Sequence, residues 1–230
     1  MAGKLGTVLK ETGWYLSKVL KALRFWRRAP PLTTFAQLVE HVESRSKYVG
    51  QTTLFGYVKT RAGTRYVSLF EDEKFAHSLN IAKWEIFLAG LCDLAAYAAA
   101  GIGRRASASA DETTALAIHI VESALAKEEI PAERPQGFDD VRSAFRTRAR
   151  TTCWSELPAG NGLFQNSISA LVHWAPIADE LKVLDAEIVK NSMRFKWKSV
   201  RDQFNEVLDA EAVLADWRSV RTRETAPPAG

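Results

Sequence analysis

An all-α fold is predicted by three observations. Residues 178–221 run without proline or glycine, from just after Pro176 to shortly before Pro227-Pro228. As one helix that run spans about 60 Å at 1.5 Å per residue. Elsewhere, apolar residues recur every three or four positions, the period of helices that bury one face. Only residues 48–70 have the aromatic and β-branched density of strands, and a lone two-stranded hairpin is marginally stable. The expected architecture is therefore a helical bundle with a basic amphipathic helix at its N-terminus and a long C-terminal helix.

The totals fit one sizeable core with appendages. With 230 residues, 47 % hydrophobic and 25 % charged, the composition is that of an ordinary globular protein. A net charge of +4 is too small to imply a nucleic-acid partner by itself. Two cysteines make no disulfide framework, so a reducing compartment is expected, with Cys92 a buried thiol in an apolar run.

Residues 3–28 form the first element. On a helical wheel Leu5, Val8, Leu9, Tyr15, Leu16, Val19, Leu20, Leu23 and Trp26 fall within an arc of about 140°. Lys4, Lys10, Lys18, Lys21, Arg24 and Arg28 lie outside it, and Glu11 is the sole acid. A leucine-rich face with aromatics beside a basic face is the composition of a helix lying in a membrane interface. Trp14 and Phe25 on the polar side fit that environment better than water. A first bundle helix with solvated lysines and a basic, acid-poor transit peptide are the competing readings. Lysines at every turn interrupt any continuous apolar stretch, so a secretory signal is not expected. The expected location is cytoplasmic and membrane-associated, or an organelle if residues 1–28 are a transit peptide.

Pro30-Pro31 end this element. Thr33 or Thr34 then caps a helix carrying Phe35, Leu38, Val39 and Val42. For residues 48–70 the choice lies between a hairpin turning at Ala62-Gly63 and a helix stopped by Gly63; the helix is preferred. Glu71 to Gly101 is a further helix, with acids at its positive end. From Ile86 to Ile102 it is almost wholly apolar, at the short edge for crossing a bilayer, but Asp93 stands in the middle. An aspartate at mid-membrane costs roughly 2.5–3.5 kcal/mol, which alanines do little to offset, so a central buried helix is expected.

Residues 103–114 read as a small, polar, mobile linker, with Asp111 capping a helix from Glu112 to Glu129. Two helices follow, from Phe138 to about Trp154 and from Leu163 to Ala175. The long helix of 178–221 then carries two apolar faces about 150° apart. Leu181, Leu184, Ile188 and Phe195 share one; Met193, Trp197, Val200, Phe204, Val207 and Leu208 share the other. Such a helix is expected to pack against different partners early and late. Residues 222–230 are expected to be a disordered tail.

Catalytic signatures are absent: no phosphate-binding glycine loop, no GxSxG elbow, no HExxH and no CxxC. His41, His77, His119 and His173 are scattered singly, and no Glu-x-x-His step announces a di-iron bundle. No metal and no cofactor are expected, and His119 and His173 read as core histidines. Asp93, among Leu91, Leu94 and Tyr97, needs a cation or hydrogen-bond donors if buried: the readings are pairing with an arginine from another helix, a place on the surface, or a polar group lining a pocket. Arg142 to Arg150 and the Arg194–Arg201 block could grip phosphates, but adjacent acidic blocks would repel a nucleic-acid backbone, so no nucleic-acid partner is expected.

The expected function is that of a helical adaptor or scaffold, peripherally bound to an anionic membrane, that presents Met193, Phe195, Trp197, Val200 and Phe204 to a protein partner. The long helix could also join two copies of the chain. The alternatives are an enzyme or lipid-pocket protein built around Asp93, and an RNA-binding module.

Overall fold

The computed structural model describes residues 30–157 and 161–225. The chain divides into two compact units, Met1–Pro31 and Leu32–Gly230. The amphipathic helix expected over residues 3–28 lies outside the described residues, as does the end of the tail expected over 222–230. The second unit is all-α, with eight α-helices and no strand among the described residues.

Helix α1 spans Phe35–Ala62. Thr34 starts it with a capping box: its hydroxyl accepts from the Gln37 amide at 3.2 Å, and the Gln37 side chain accepts from the Thr34 amide at 3.1 Å. Asp216, from the last helix, adds a cap across space by accepting from the Phe35 amide at 2.8 Å. At the other end Gly63 takes a φ of +56°, which a side chain would oppose, and returns its amide to Lys59. Residues 48–70 are thus helical, continuing through a 3₁₀ turn at Gly63–Arg65 into the short α2, Tyr66–Glu71.

Helix α3, Glu73–Arg105, is capped by Asp72 and forms the centre of the bundle, packing on α1 and α2 and on the helices at Ala110–Leu125, Gln165–Trp174 and Ala210–Thr225. It is the one described helix long and apolar enough to cross a membrane, and 89 % of its most apolar stretch is buried inside the protein. Its glycines admit close neighbours. A Cβ on Gly103 would lie 2.5 Å from the Thr113 hydroxyl, and one on Gly90 would lie 3.2 Å from the Trp197 ring.

The expected linker of residues 103–114 is much shorter, because α3 runs on to Arg105 and α4 occupies Ala110–Leu125. Ser109 caps α4, in a second capping box with Glu112; Asp111 sits in the first turn instead. Serine wins because its hydroxyl reaches the Glu112 amide at 3.1 Å while Glu112 folds back to the Ser109 amide at 3.0 Å. After α4, Arg134 ties the loop to the bundle through Glu85 at 3.0 Å, Asp140 at 2.6 Å and the Gly137 carbonyl. Helices α5, Asp139–Thr151, and α6, Gln165–Trp174, follow.

The run of 178–221 folds as two helices, α7 at Asp179–Val207 and α8 at Ala210–Thr225. Continuity holds through Met193–Trp197 and fails at Leu208. There the backbone turns extended and pairs with Leu32: the Leu32 amide donates to Val207 at 2.8 Å, and the Asp209 amide donates to Leu32 at 3.0 Å. The Asp209 carboxylate then accepts from the Ala212 amide at 3.1 Å and caps α8. Val213, Leu214 and Trp217 of α8 enter the core.

Candidate functional site

The two faces expected of the long helix have opposite fates. Met193, Trp197, Val200 and Phe204 are buried in the chain's own core. Trp197 stacks on Phe164 with centroids 4.5 Å apart and donates to the Ser167 hydroxyl at 3.1 Å. Phe204 meets the Tyr97 ring edge to face and the His41 ring at a tilt. These four residues, expected to contact a partner, are core residues instead. Of that expected set only Phe195 is outside, 71 % exposed. It continues the face of Leu181, Leu184 and Ile188, which are 36 %, 74 % and 74 % exposed. These four fall within an arc of about 60° at 100° per residue, an apolar stripe along the outside of α7.

Beside the stripe, α1 and α7 leave an open groove of about 260 Å³. Thr53, Tyr57, Leu171 and Val189 line it, with Ile188 of the stripe on one wall. Nothing lies within 4 Å of a Cβ built on Gly56, so the α1 wall lets another backbone come close. Arg61 closes the groove by a two-nitrogen bridge to Asp185 of α7. The buried Tyr57 hydroxyl makes no hydrogen bond of normal geometry; burial, then the neighbouring Asp185 carboxylate, pushes its pKa up to about 12.

Asp93 is elsewhere and is sealed. Its carboxylate accepts from Arg148 at 2.8 Å, from the Ser167 amide at 2.8 Å and from Asn166 at 3.3 Å. Ser167 is in the first turn of α6, whose own N-cap residue Phe164 offers no side-chain bond. Asp93 supplies the missing cap from α3, where a carboxylate meets the positive end of the helix. Burial raises its pKa against the pull of Arg148 and of the Ser167 amide. The expected pairing with an arginine is present, and Asp93 is not among the residues that line the groove.

Several of the remaining candidates are engaged in structural contacts. Arg142 and Arg146 of α5 both bridge to Glu122, at 3.2 and 2.7 Å, and Arg148 is engaged with Asp93. His119 accepts at Nδ1 from the Trp217 indole at 3.0 Å, the satisfied packing expected of it. His173 departs from expectation, exposed at the end of α6. His41 was missed by sequence reasoning: its Nε2 is buried without a partner, and burial, then Arg45, brings its pKa down to about 4. No cluster of three or more histidine, cysteine, aspartate or glutamate side chains fit to hold a metal occurs among the described residues. No family model matches the chain, and searches of curated proteins and of solved structures returned no match.

Proposed function

We propose that this protein is a helical interaction module, an adaptor or scaffold, that docks a protein through the outer stripe of α7 while residues 1–28 hold it at an anionic membrane surface. One observation carries the docking half: Leu184, Ile188 and Phe195, all above 70 % exposed, lie on a helix whose opposite face is the protein's core. Isolated exposed apolar residues are ordinary, but four on one face of a helix beside a groove take the form of a helix-docking surface. The membrane half rests on the basic, leucine-rich composition of residues 3–28. Nothing near Asp93 or the histidines supports a competing catalytic reading as well.

A photo-crosslinking residue placed at position 184 of the intact chain, in its own cells, tests the docking half. Discrete protein adducts are expected from position 184, with none from the exposed control position Thr147 on α5. Adducts from neither position, or equally from both, would contradict the reading.

A further inference from the structure

The geometry points to a second copy of this chain as the occupant of the stripe, with two α7 helices packed antiparallel about a twofold axis at Ile188. This rests on the docking role proposed above and names its partner. The first argument is charge. Residues 179–189 carry Asp179, Glu180, Asp185 and Glu187 against the single Lys182, whereas residues 190–198 carry Lys190, Arg194, Lys196 and Lys198 and no acid. Parallel pairing would set acid against acid and base against base. Antiparallel pairing sets each acidic half against the other copy's basic half, and a twofold interface repeats the match.

The second argument is register. An axis at Ile188 places it against its own copy, and places Leu181 of one chain level with Phe195 of the other. Leu184 then faces the short side chains of Asn191 and Ser192, both exposed and both beside the stripe. Glu180 and Lys198 are five turns apart on α7 and so occupy one flank of the stripe at the same angle. In the antiparallel pair they come within about 3 Å of level, one from each chain, and the pairing occurs twice. Among the described residues of its own chain Lys198 pairs with the exposed Asp202, at 2.7 Å, a solvated helix pair that an intermolecular contact can replace. Self-complementarity of both the apolar stripe and its charged flank favours a second copy over an unrelated partner.

Cysteine pairing in the full chain tests this directly, in a Cys153→Ser background that removes the exposed thiol. Leu181→Cys chains mixed with Phe195→Cys chains are expected to form a disulfide dimer on mild oxidation. Neither should do so alone, because identical positions would then lie about 21 Å apart along the helix. Crosslinking of each variant with itself, or no crosslinking in the mixture, overturns the proposal. Sedimentation at low salt adds the charge test. Glu180→Lys and Lys198→Glu are each expected to weaken association about fivefold or more, and the double variant to restore it. Association indifferent to all three variants overturns the proposed register. If the chain is monomeric yet position 184 crosslinks to a different protein, the dimer fails and the docking role stands. If position 184 yields no adduct, the docking role itself has failed.

Discussion

Asp93 is the buried charge on which polar groups of two other helices converge. Through Arg148, Ser167 and Asn166 it joins α3 to α5 and α6, and Trp197 of α7 adds its indole to the Ser167 hydroxyl. Asp93→Asn keeps the shape but leaves Arg148 without its counter-charge. Because the Arg148 side chain keeps 30 % of its surface in water, the expected cost is about 2–4 kcal/mol, below the extreme for a fully buried pair. Urea denaturation at neutral pH measures it. His41 makes a prediction of different form. Its folded pKa of about 4 lies below the ordinary 6.5, so between those values the unfolded chain binds more protons. The stabilising contribution is therefore complete above about pH 6.5 and is lost as pH falls toward 4. By pH 5 the loss relative to pH 8 should reach about 2 kcal/mol. His41→Phe, beside the Phe204 ring, should flatten that slope in a pH series of denaturation curves.

At the scale of elements, α7 divides its work between two faces, and the division separates two substitutions of the same kind. Phe204→Ala removes a fully buried ring and should cost about 3–5 kcal/mol. Phe195→Ala removes an exposed one and should change monomer stability by less than about 0.5 kcal/mol. Equal effects from the two would mean the faces had been misassigned. The sequence already carried the two-faced pattern in the spacing of its apolar residues, because helical period is a local property. Which face is the core was not legible: the stripe of Leu181, Leu184 and Ile188 is as apolar as the face of Met193 and Val200. What decides between them is the position of Gly90, Phe164 and Ser167, which arrive from distant elements to receive Trp197. The break at Leu208 was hidden for the same reason. No proline or glycine marks it, and the cause is Leu32, far away in sequence, taking backbone hydrogen bonds on either side of it. The local cap at Thr34 was legible, the equally local Ser109 was passed over for Asp111 two residues on, and the caps that come through space, Asp93 on α6 and Asp216 on α1, were illegible.

On the scale of the whole molecule, the account joins a folded bundle to a terminal segment of different chemistry. Helix α3, which by length and composition could cross a membrane, is enclosed by other helices of the described unit. The proposed membrane affinity accordingly rests on residues 1–28, where each basic side chain near an anionic surface would contribute about 1 kcal/mol. Vesicles rich in phosphatidylserine should sediment the full chain at low salt and release it as salt rises, since exposed charges are screened over about 10 Å at 0.1 M. A chain beginning at Pro30 should stay in the supernatant and remain folded. Full-chain sedimentation with uncharged vesicles as strongly as with anionic ones would contradict the electrostatic part of the account.

The central claim is that the outer stripe of α7 serves association and contributes nothing to the fold of one chain. Denaturant unfolding of Ile188→Asp/Phe195→Asp beside the unmodified protein, over a dilution series, tests it most directly. At the lowest concentration the two should agree within about 0.5 kcal/mol, because both positions are open to water in the single chain. As concentration rises the unmodified protein alone should gain stability, through mass action on an associated state. A loss of several kcal/mol in the double variant at every concentration would show that the stripe belongs to the core, and the docking account would fall with it.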